Sequence, residues 1–169
     1  MIHIKIQDKS YRIKSISELT TKEFIELSKL PELNFVTYIA WQTGLNTDSA
    51  FFAVTSAAVE KAIGKIPDVT KLPLPKWPDY KKLIETVGQR HQIESCKLEG
   101  YELVVFILAV SQARSNNSDE VEKKRLEYLN LPFAEVLPAG FFFLKILNGG
   151  RKYALKSFVK RLFSTKIKK

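Results

Sequence analysis

Residues 100–113, with the sequence GYELVVFILAVSQA, decide the fold of this chain. Eight consecutive apolar residues, 103–110, leave a helix in this stretch with almost no polar side. A helix that is apolar all round lies inside a protein. The stretch therefore predicts a helix that forms the central core element, while its β-branched residues favour a strand as the alternative.

The segments around this element carry further helix signals. We predict helices over residues 80–92 and 151–163. A charged helix is expected between them, capped by Ser118 or Asp119 and extending to Tyr128.

The N-terminal residues have the period of strands. Residues 2–6 alternate apolar and polar side chains, and residues 11–16 do so again after the turn-forming residues 7–10. This pattern predicts a β-hairpin whose apolar face packs on helices.

Three helices are predicted after the hairpin. Thr20 and Glu23 have the spacing of a capping box, which starts the first helix. The second spans residues 33–43, and the third spans residues 49–63 after a cap at one of residues 46–48. The expected fold is therefore mainly α (α+β), with an N-terminal β-hairpin followed by a compact helical domain of six to eight helices.

Prolines at positions 67, 73, 75 and 78 indicate a stiff, extended connector over residues 67–79. It separates residues 1–66 from residues 80–148, and residues 149–169 form a basic amphipathic helix and tail; we expect one compact domain overall.

Trp77 is expected to rest on the core. Pro75-x-x-Pro78 matches an SH3-ligand pattern, but a linker is the favoured interpretation.

The charge of the chain is concentrated at one end. Among 169 residues, 27 basic and 18 acidic side chains give a formal net charge of +9. Residues 1–144 carry 18 of each sign, so the nine cations from Lys145 onward account for the whole excess. This asymmetry bears on partners and not on the fold.

The C-terminal segment combines this charge with an apolar stripe, because Leu155, Phe158 and Leu162 recur at helical spacing. Its cations are predicted to contact DNA or an acidic surface: Arg151, Lys152, Lys156, Lys160, Arg161, Lys166, Lys168 and Lys169. A basic amphipathic helix suits an anionic membrane, phosphates or an acidic protein. The alternative is a helix that packs on the core and leaves its lysines in water.

Three adjacent aromatic residues, Phe141, Phe142 and Phe143, follow a short segment that Pro132 and Pro138 are expected to interrupt. Three neighbours cannot all face one core, so at least one is expected at the surface. We predict a protein interface here, and a buried junction is the alternative.

Little in the sequence points to catalysis. One cysteine, Cys96, and two histidines leave few metal ligands, and phosphate-binding glycine motifs are absent from the sequence. His91 and Glu94 have helical spacing, but an exposed polar pair is the favoured interpretation. We expect no enzyme activity, no cofactor, no small-molecule substrate, no membrane span and no signal peptide.

Two stretches of the chain resemble a known class of proteins. Residues 17–27, SELTTKEFIEL, and residues 131–144, LPFAEVLPAGFFFL, frame its helical middle. They are similar to the opening and closing motifs of small structural or assembly proteins of tailed bacteriophages, including crAss-like phages. The resemblance implies a connector, a tail component or a packaged cargo protein, and it implies no catalytic residues.

The implied partners are other virion proteins or copies of the chain, with DNA as a further partner of the basic C-terminus. The implied location is the virion, or the host cytoplasm during assembly. The alternative is a helical nucleic-acid-binding adaptor that uses the C-terminal helix, although the sequence has no helix-turn-helix or RNA-binding signature.

Overall fold

The computed structural model of the protein describes residues 2–6, 8–54, 57–81, 87–113 and 117–147. The chain divides into two compact units, Met1–Pro67 (unit 1) and Asp68–Lys169 (unit 2). The division falls at the first proline of the predicted connector, and the rest of the connector belongs to unit 2. An N-terminal hairpin and eight α-helices within the described residues confirm the predicted mainly α fold.

Unit 1 opens with strands β1 (Ile2–Ile6) and β2 (Lys9–Ile13), which pair antiparallel with Ile2 opposite Ile13. The predicted turn over residues 7–10 is too long, because β2 begins at Lys9. Asp8 has a φ of 52°, a left-handed conformation that suits a tight hairpin turn and that aspartate tolerates.

Four helices complete unit 1: α1 (Thr21–Ser28), α2 (Phe35–Thr43), α3 (Thr47–Val54) and α4 (Ala57–Ile63). Strand β1 packs on α3 and α4, and β2 packs on α2. The buried side chains Ile4, Ile6 and Ile13 show that the hairpin turns its apolar face inward, as predicted.

The capping box at the start of α1 is confirmed. The Glu23 N–H donates to Thr20 Oγ1 at 3.3 Å, and the Thr20 N–H donates to Glu23 Oε2 at 2.8 Å. Helix α2 ends at Gly44, whose φ of 70° allows the left-handed termination that glycine favours.

The described residues on both sides of residues 55 and 56 are helical, as α3 and α4, within the span predicted as one helix over residues 49–63. The start is earlier than predicted. Asn46 Oδ1 accepts the Ser49 N–H at 2.8 Å and so caps a helix that begins at Thr47. Residues 55 and 56 lie outside the described residues.

Unit 2 contains α5 (Val87–Ser95), α6 (Gly100–Gln112), α7 (Ser118–Leu129) and α8 (Phe133–Leu147). Helix α6 packs on α5, α7 and α8, and its residues 107–110 are all buried. The prediction of a central helix is confirmed, and the strand alternative is wrong.

Two helix starts differ from those predicted. Residues 80 and 81 form a turn, so the helix does not start at residue 80; the described part of α5 begins at Val87, and residues 82–86 lie outside the described residues. Helix α7 is capped by Asn117, whose Oδ1 accepts the Asp119 N–H at 2.9 Å. Ser118 and Asp119 are therefore the first residues of the helix.

The predicted interruption at Pro138 is wrong, because α8 continues through it. A proline inside a helix removes one backbone hydrogen bond and crowds the preceding turn. Here Leu137, Pro138, Ala139 and Gly140 are all buried, so the burial of this apolar stretch outweighs the local cost.

No helix in the described ranges combines the length and the apolar character that a membrane span requires. The predicted helix over residues 151–163 lies outside the described residues.

Candidate interaction surfaces

The three phenylalanines of α8 belong to an aromatic cluster within unit 2. Phe143 is buried and stacks on Tyr80, with ring centroids 5.9 Å apart and planes inclined by 12°. Phe142 contacts Tyr80 edge-on at 4.7 Å, and Phe141 contacts Tyr101 edge-on at 6.1 Å. The cluster thus joins α8 to α6 and to the end of the connector.

The burial of these three side chains decides which of them can meet a partner. Phe143 is 1% exposed and is a core residue, so its side chain offers no surface for an interface. Phe141 and Phe142 are half-buried. They are the two members of the predicted interface segment that reach the surface of unit 2.

The connector is held in place by side chains of its own unit. Apart from a 3₁₀ turn at Val69–Lys71, the described residues 68–79 are not helical. Gln112 of α6 accepts the Asp79 N–H at 2.9 Å and donates to the Asp79 carbonyl at 3.1 Å. The Tyr80 hydroxyl donates to the Pro75 carbonyl at 2.7 Å, and burial raises the pKa of Tyr80. The backbone on both sides of Trp77 is therefore fixed.

Trp77 was expected to rest on the core, but it packs there only in part. Its ring lies against Tyr128 of α7, with centroids 5.2 Å apart, but the residue is 41% exposed. Leu74, three positions earlier, is 48% exposed.

Pro78 is buried, which argues against Pro75-x-x-Pro78 as an SH3 ligand, because such a motif docks through its prolines.

One lysine lies next to Trp77 in the sequence, and another lies near the Tyr128 ring. Lys76 precedes Trp77 and is exposed. The Lys124 ammonium lies 6.0 Å from the centroid of the same Tyr128 ring on which Trp77 rests. Burial, with a smaller effect of Glu127, raises the pKa of Tyr128 to about 12, so its ring stays neutral. We call the exposed connector residues Leu74, Lys76 and Trp77 the connector face.

A second polar cluster lies in unit 1, where Lys14 and Glu23 form an ion pair. The Tyr38 hydroxyl of α2 donates to the Lys14 carbonyl at 2.8 Å. Burial raises the pKa of Tyr38, and the charges of Glu23 and Glu18 raise it further. The cluster ties the end of β2 to α1 and α2, which is a structural role.

The residues considered for chemistry are dispersed. His91 and Glu94 are exposed on α5. The Cys96 thiol donates to the Ile93 carbonyl at 3.1 Å. Among the described residues, no group of three or more His, Cys, Asp or Glu side chains is placed to hold a metal ion.

The predicted interaction residues of the C-terminus lie outside the described residues. They comprise the apolar stripe, Leu155, Phe158 and Leu162, and the cations Arg151, Lys152, Lys156, Lys160, Arg161, Lys166, Lys168 and Lys169.

Sequence reasoning missed the connector face. The available signal was a tryptophan flanked by prolines and preceded by a lysine. Its environment includes Tyr128, 51 positions away, and no local pattern gives that contact.

Comparison of the chain with protein-family models, with curated proteins and with solved structures finds no match. The arrangement of its own residues therefore carries the functional argument.

Proposed function

We propose that this protein is a non-enzymatic structural or assembly protein of a tailed phage and acts through protein–protein contacts. One observation carries the proposal: a rigidly held connector that presents Trp77 and Leu74 to solvent. A fixed backbone with exposed large apolar side chains suits binding to another protein surface.

The resemblance to small phage virion proteins supports the same class. Its opening stretch, residues 17–27, includes the capping box and most of α1. Its closing stretch, residues 131–144, includes most of α8, the helix that packs on the central α6. Both stretches thus coincide with helices that organise the two units.

The proposal is tested on phage particles. We expect portal, capsid or tail genes beside the gene, and we expect the protein in purified virions by mass spectrometry or a block in particle assembly when the gene is deleted. The proposal is refuted if, in a phage that makes normal particles, the protein is absent from purified virions and deletion of its gene causes no assembly defect.

The Phe141–Phe143 segment is tested with Phe142→Ser, since Phe143→Ser would remove a core side chain. If the segment is an interface, the Phe142→Ser protein folds, as measured by circular dichroism, but complements a gene deletion poorly. Leu126→Ser, at an apolar residue of α7 that is 51% exposed, is the control. Full complementation by Phe142→Ser would contradict the interface prediction.

A second candidate function is nucleic-acid binding by the basic C-terminus, which the nine cations from Lys145 onward favour. Truncation after Asn148 is compared with full-length protein in which Lys152, Lys156 and Lys160 are changed to glutamine. Loss of DNA binding in both, with assembly retained, supports this function. Loss of assembly in the truncation alone supports protein docking. If neither variant changes DNA binding or assembly, the segment has no functional role.

A further inference from the structure

We propose that the C-terminal segment, residues 151–163, packs back on the open side of α8 through its apolar stripe. The stripe, Leu155, Phe158 and Leu162, and the phenylalanines Phe141–Phe143 were each predicted to bind a protein, and the proposal makes them partners of one another. Residues 151–163 lie outside the described residues, so their sequence and the described surface of α8 carry the inference. It goes beyond the virion role and does not depend on it.

The side of α8 that faces away from α6 carries apolar side chains near the end of the helix. Gly140 lies against Val104 of α6. Phe142, two positions later, points to the opposite side, because successive helical residues turn by about 100°. Ile146 lies one turn beyond Phe142 on the same face and is 40% exposed. Together with the half-buried Phe141, these two residues form what we call the α8 ridge.

The α8 ridge is held in place by two tyrosines of the same unit. Tyr80 contacts Phe142 edge-on at 4.7 Å, and Tyr101 contacts Phe141 edge-on at 6.1 Å. The Tyr80 hydroxyl is itself fixed by its hydrogen bond to the Pro75 carbonyl. A surface that is ordered before binding loses little conformational entropy when another segment covers it.

The size of the α8 ridge favours an occupant from the same chain. Its exposed apolar area is on the order of 200 Å², since a whole aromatic side chain offers about 150–250 Å² and these side chains are partly covered. A stable interface with a separate protein buries about 800 Å² on each partner, so the ridge alone is too small for one. A tethered segment needs less area, because its effective concentration is high.

The sequence after α8 suits such a return of the chain. Helix α8 ends at Leu147, and Asn148, Gly149 and Gly150 separate it from the predicted helix over residues 151–163. Short connections of this kind join antiparallel helices, and glycine is the residue that most often follows a helix end. The predicted helix would be about 20 Å long and α8 is about 22 Å long, so the two match in length.

The spacing of the stripe matches the position of the α8 ridge. Phe142 lies five residues before the end of α8, about 8 Å along the helix axis. Leu155 and Phe158 would lie about 6 Å and 10 Å from the start of their helix, one on each side of that level. Lys156 and Lys160 are turned by about 100° or more from every stripe residue. They therefore stay in water when the stripe is covered.

The exposed charges of α8 act in opposite directions at its two ends. Glu135 is exposed and takes part in no ion pair within the described ranges. It lies about 18 Å from the end of α8, close to the level of Arg161, which would be about 15 Å from the start of its helix. Lys145 lies near the connection, where Lys152 repels it. Apolar contact is therefore the main driving force.

Hydrogen exchange of the full-length protein, measured by mass spectrometry, tests the proposal. A helix as short as residues 151–163 is marginal in water by itself, so protection of its amides must come from docking. We expect these amides to exchange at least about tenfold more slowly than in a free peptide of the same residues. Phe142→Ser combined with Ile146→Ser should return the rate to within about twofold of the peptide, and Ile146→Ser alone should raise it about threefold or more.

Matched variants separate docking on the α8 ridge from general effects. Leu126→Ser removes an apolar residue of α7 that is 51% exposed and should leave the protection unchanged. Within the segment, Leu155→Ser with Phe158→Ser should abolish the protection, whereas Lys156→Ser, away from the stripe, should keep it. Slow exchange of the α6 amides checks that each variant folds. Ile146→Ser is the milder ridge variant, because this side chain is partly exposed.

Three outcomes would overturn the proposal. The first is free-peptide exchange of residues 151–163 in the wild-type protein. The second is full protection in the ridge variants with α6 intact, which would place the segment elsewhere. The third is protection that rises with protein concentration, which would make a second copy the occupant. If Phe142→Ser complements a gene deletion poorly but leaves the protection unchanged, α8 binds a separate partner and the virion role stands without this inference.

Discussion

At Gly140, two helices approach so closely that the residue has no room for a side chain. A Cβ at this position would lie 2.5 Å from Val104 Cγ1 and 2.6 Å from the Val104 carbonyl oxygen. The second contact is with backbone, so a change of side-chain rotamer cannot relieve it. Gly140 thus sets the spacing between α6 and α8.

We expect Gly140→Ala to lower the free energy of unfolding by about 1–3 kcal/mol, although alanine is the better helix former. Chemical denaturation measures the change. Lys145→Ala, at an exposed position of the same helix, is the control and should stay within about 0.5 kcal/mol of wild type. A Gly140→Ala protein as stable as wild type would show that α8 shifts without cost.

A second residue-scale prediction concerns pH. Partial burial raises the pKa of Glu23, but the Lys14 ammonium and the Thr20 N–H and hydroxyl outweigh it and hold the pKa below its usual value. Because the folded state has the lower pKa, this stability is complete above the unfolded pKa of about 4.3 and is lost as pH falls through the folded value.

Glu23→Gln is therefore expected to be less stable than wild type at neutral pH, by about 1 kcal/mol or less, with a gap that closes on acidification. Denaturation at a series of pH values measures the gap. Glu26→Gln, at an exposed position of α1, serves as the comparison. A gap for Glu23→Gln that is the same at every pH would contradict the role of its charge.

At the scale of elements, the connector is fixed by a side chain of the central helix. Gln112 is 8% exposed and uses its amide to satisfy both backbone groups of Asp79. Its removal would leave those groups without their present partners, and unsatisfied polar groups are costly.

We expect Gln112→Leu to lower the free energy of unfolding by about 1–3 kcal/mol and to free the connector. Trp77 should then become more exposed, which a red shift of tryptophan emission reports; Trp41→Phe as background leaves Trp77 as the only fluorescent tryptophan. Asp79→Asn, which keeps the backbone bonds, should show neither effect. An unshifted emission in Gln112→Leu would mean that other contacts hold the connector.

At the scale of the whole molecule, the net charge is concentrated at the C-terminal end of the chain. Residues 1–144 are neutral, and the nine cations from Lys145 onward produce a local positive potential. Any binding of DNA by this segment must therefore depend steeply on salt.

The expected slope of log affinity against log salt is about −0.9 for each phosphate neutralised. Changing Lys152, Lys156 and Lys160 to glutamine should reduce its magnitude by up to about 2.7, with little dependence on DNA sequence. Titration of labelled duplex DNA at several salt concentrations measures the slope. The same change at the exposed lysines Lys22, Lys97 and Lys123 should leave it unaltered, and an equal effect there would show diffuse binding over the whole surface.

The sequence by itself determined the elements whose cause is local. The capping box of Thr20 and Glu23 starts α1, the alternation of residues 2–6 forms β1, and the apolar run 103–110 places α6 in the core. In each case the pattern and the physical requirement lie within a few consecutive residues, since capping, alternation and helical periodicity act over one or two turns.

Only the tertiary structure decided the features that depend on distant residues. Helix α8 passes through Pro138 because burial of the surrounding residues outweighs a local helix-breaking preference. Phe143 lies in the core, where Tyr80 stacks on it, and Trp77 contacts Tyr128 yet remains 41% exposed. The Phe143 and Trp77 contacts join residues more than 50 positions apart, which no local pattern contains.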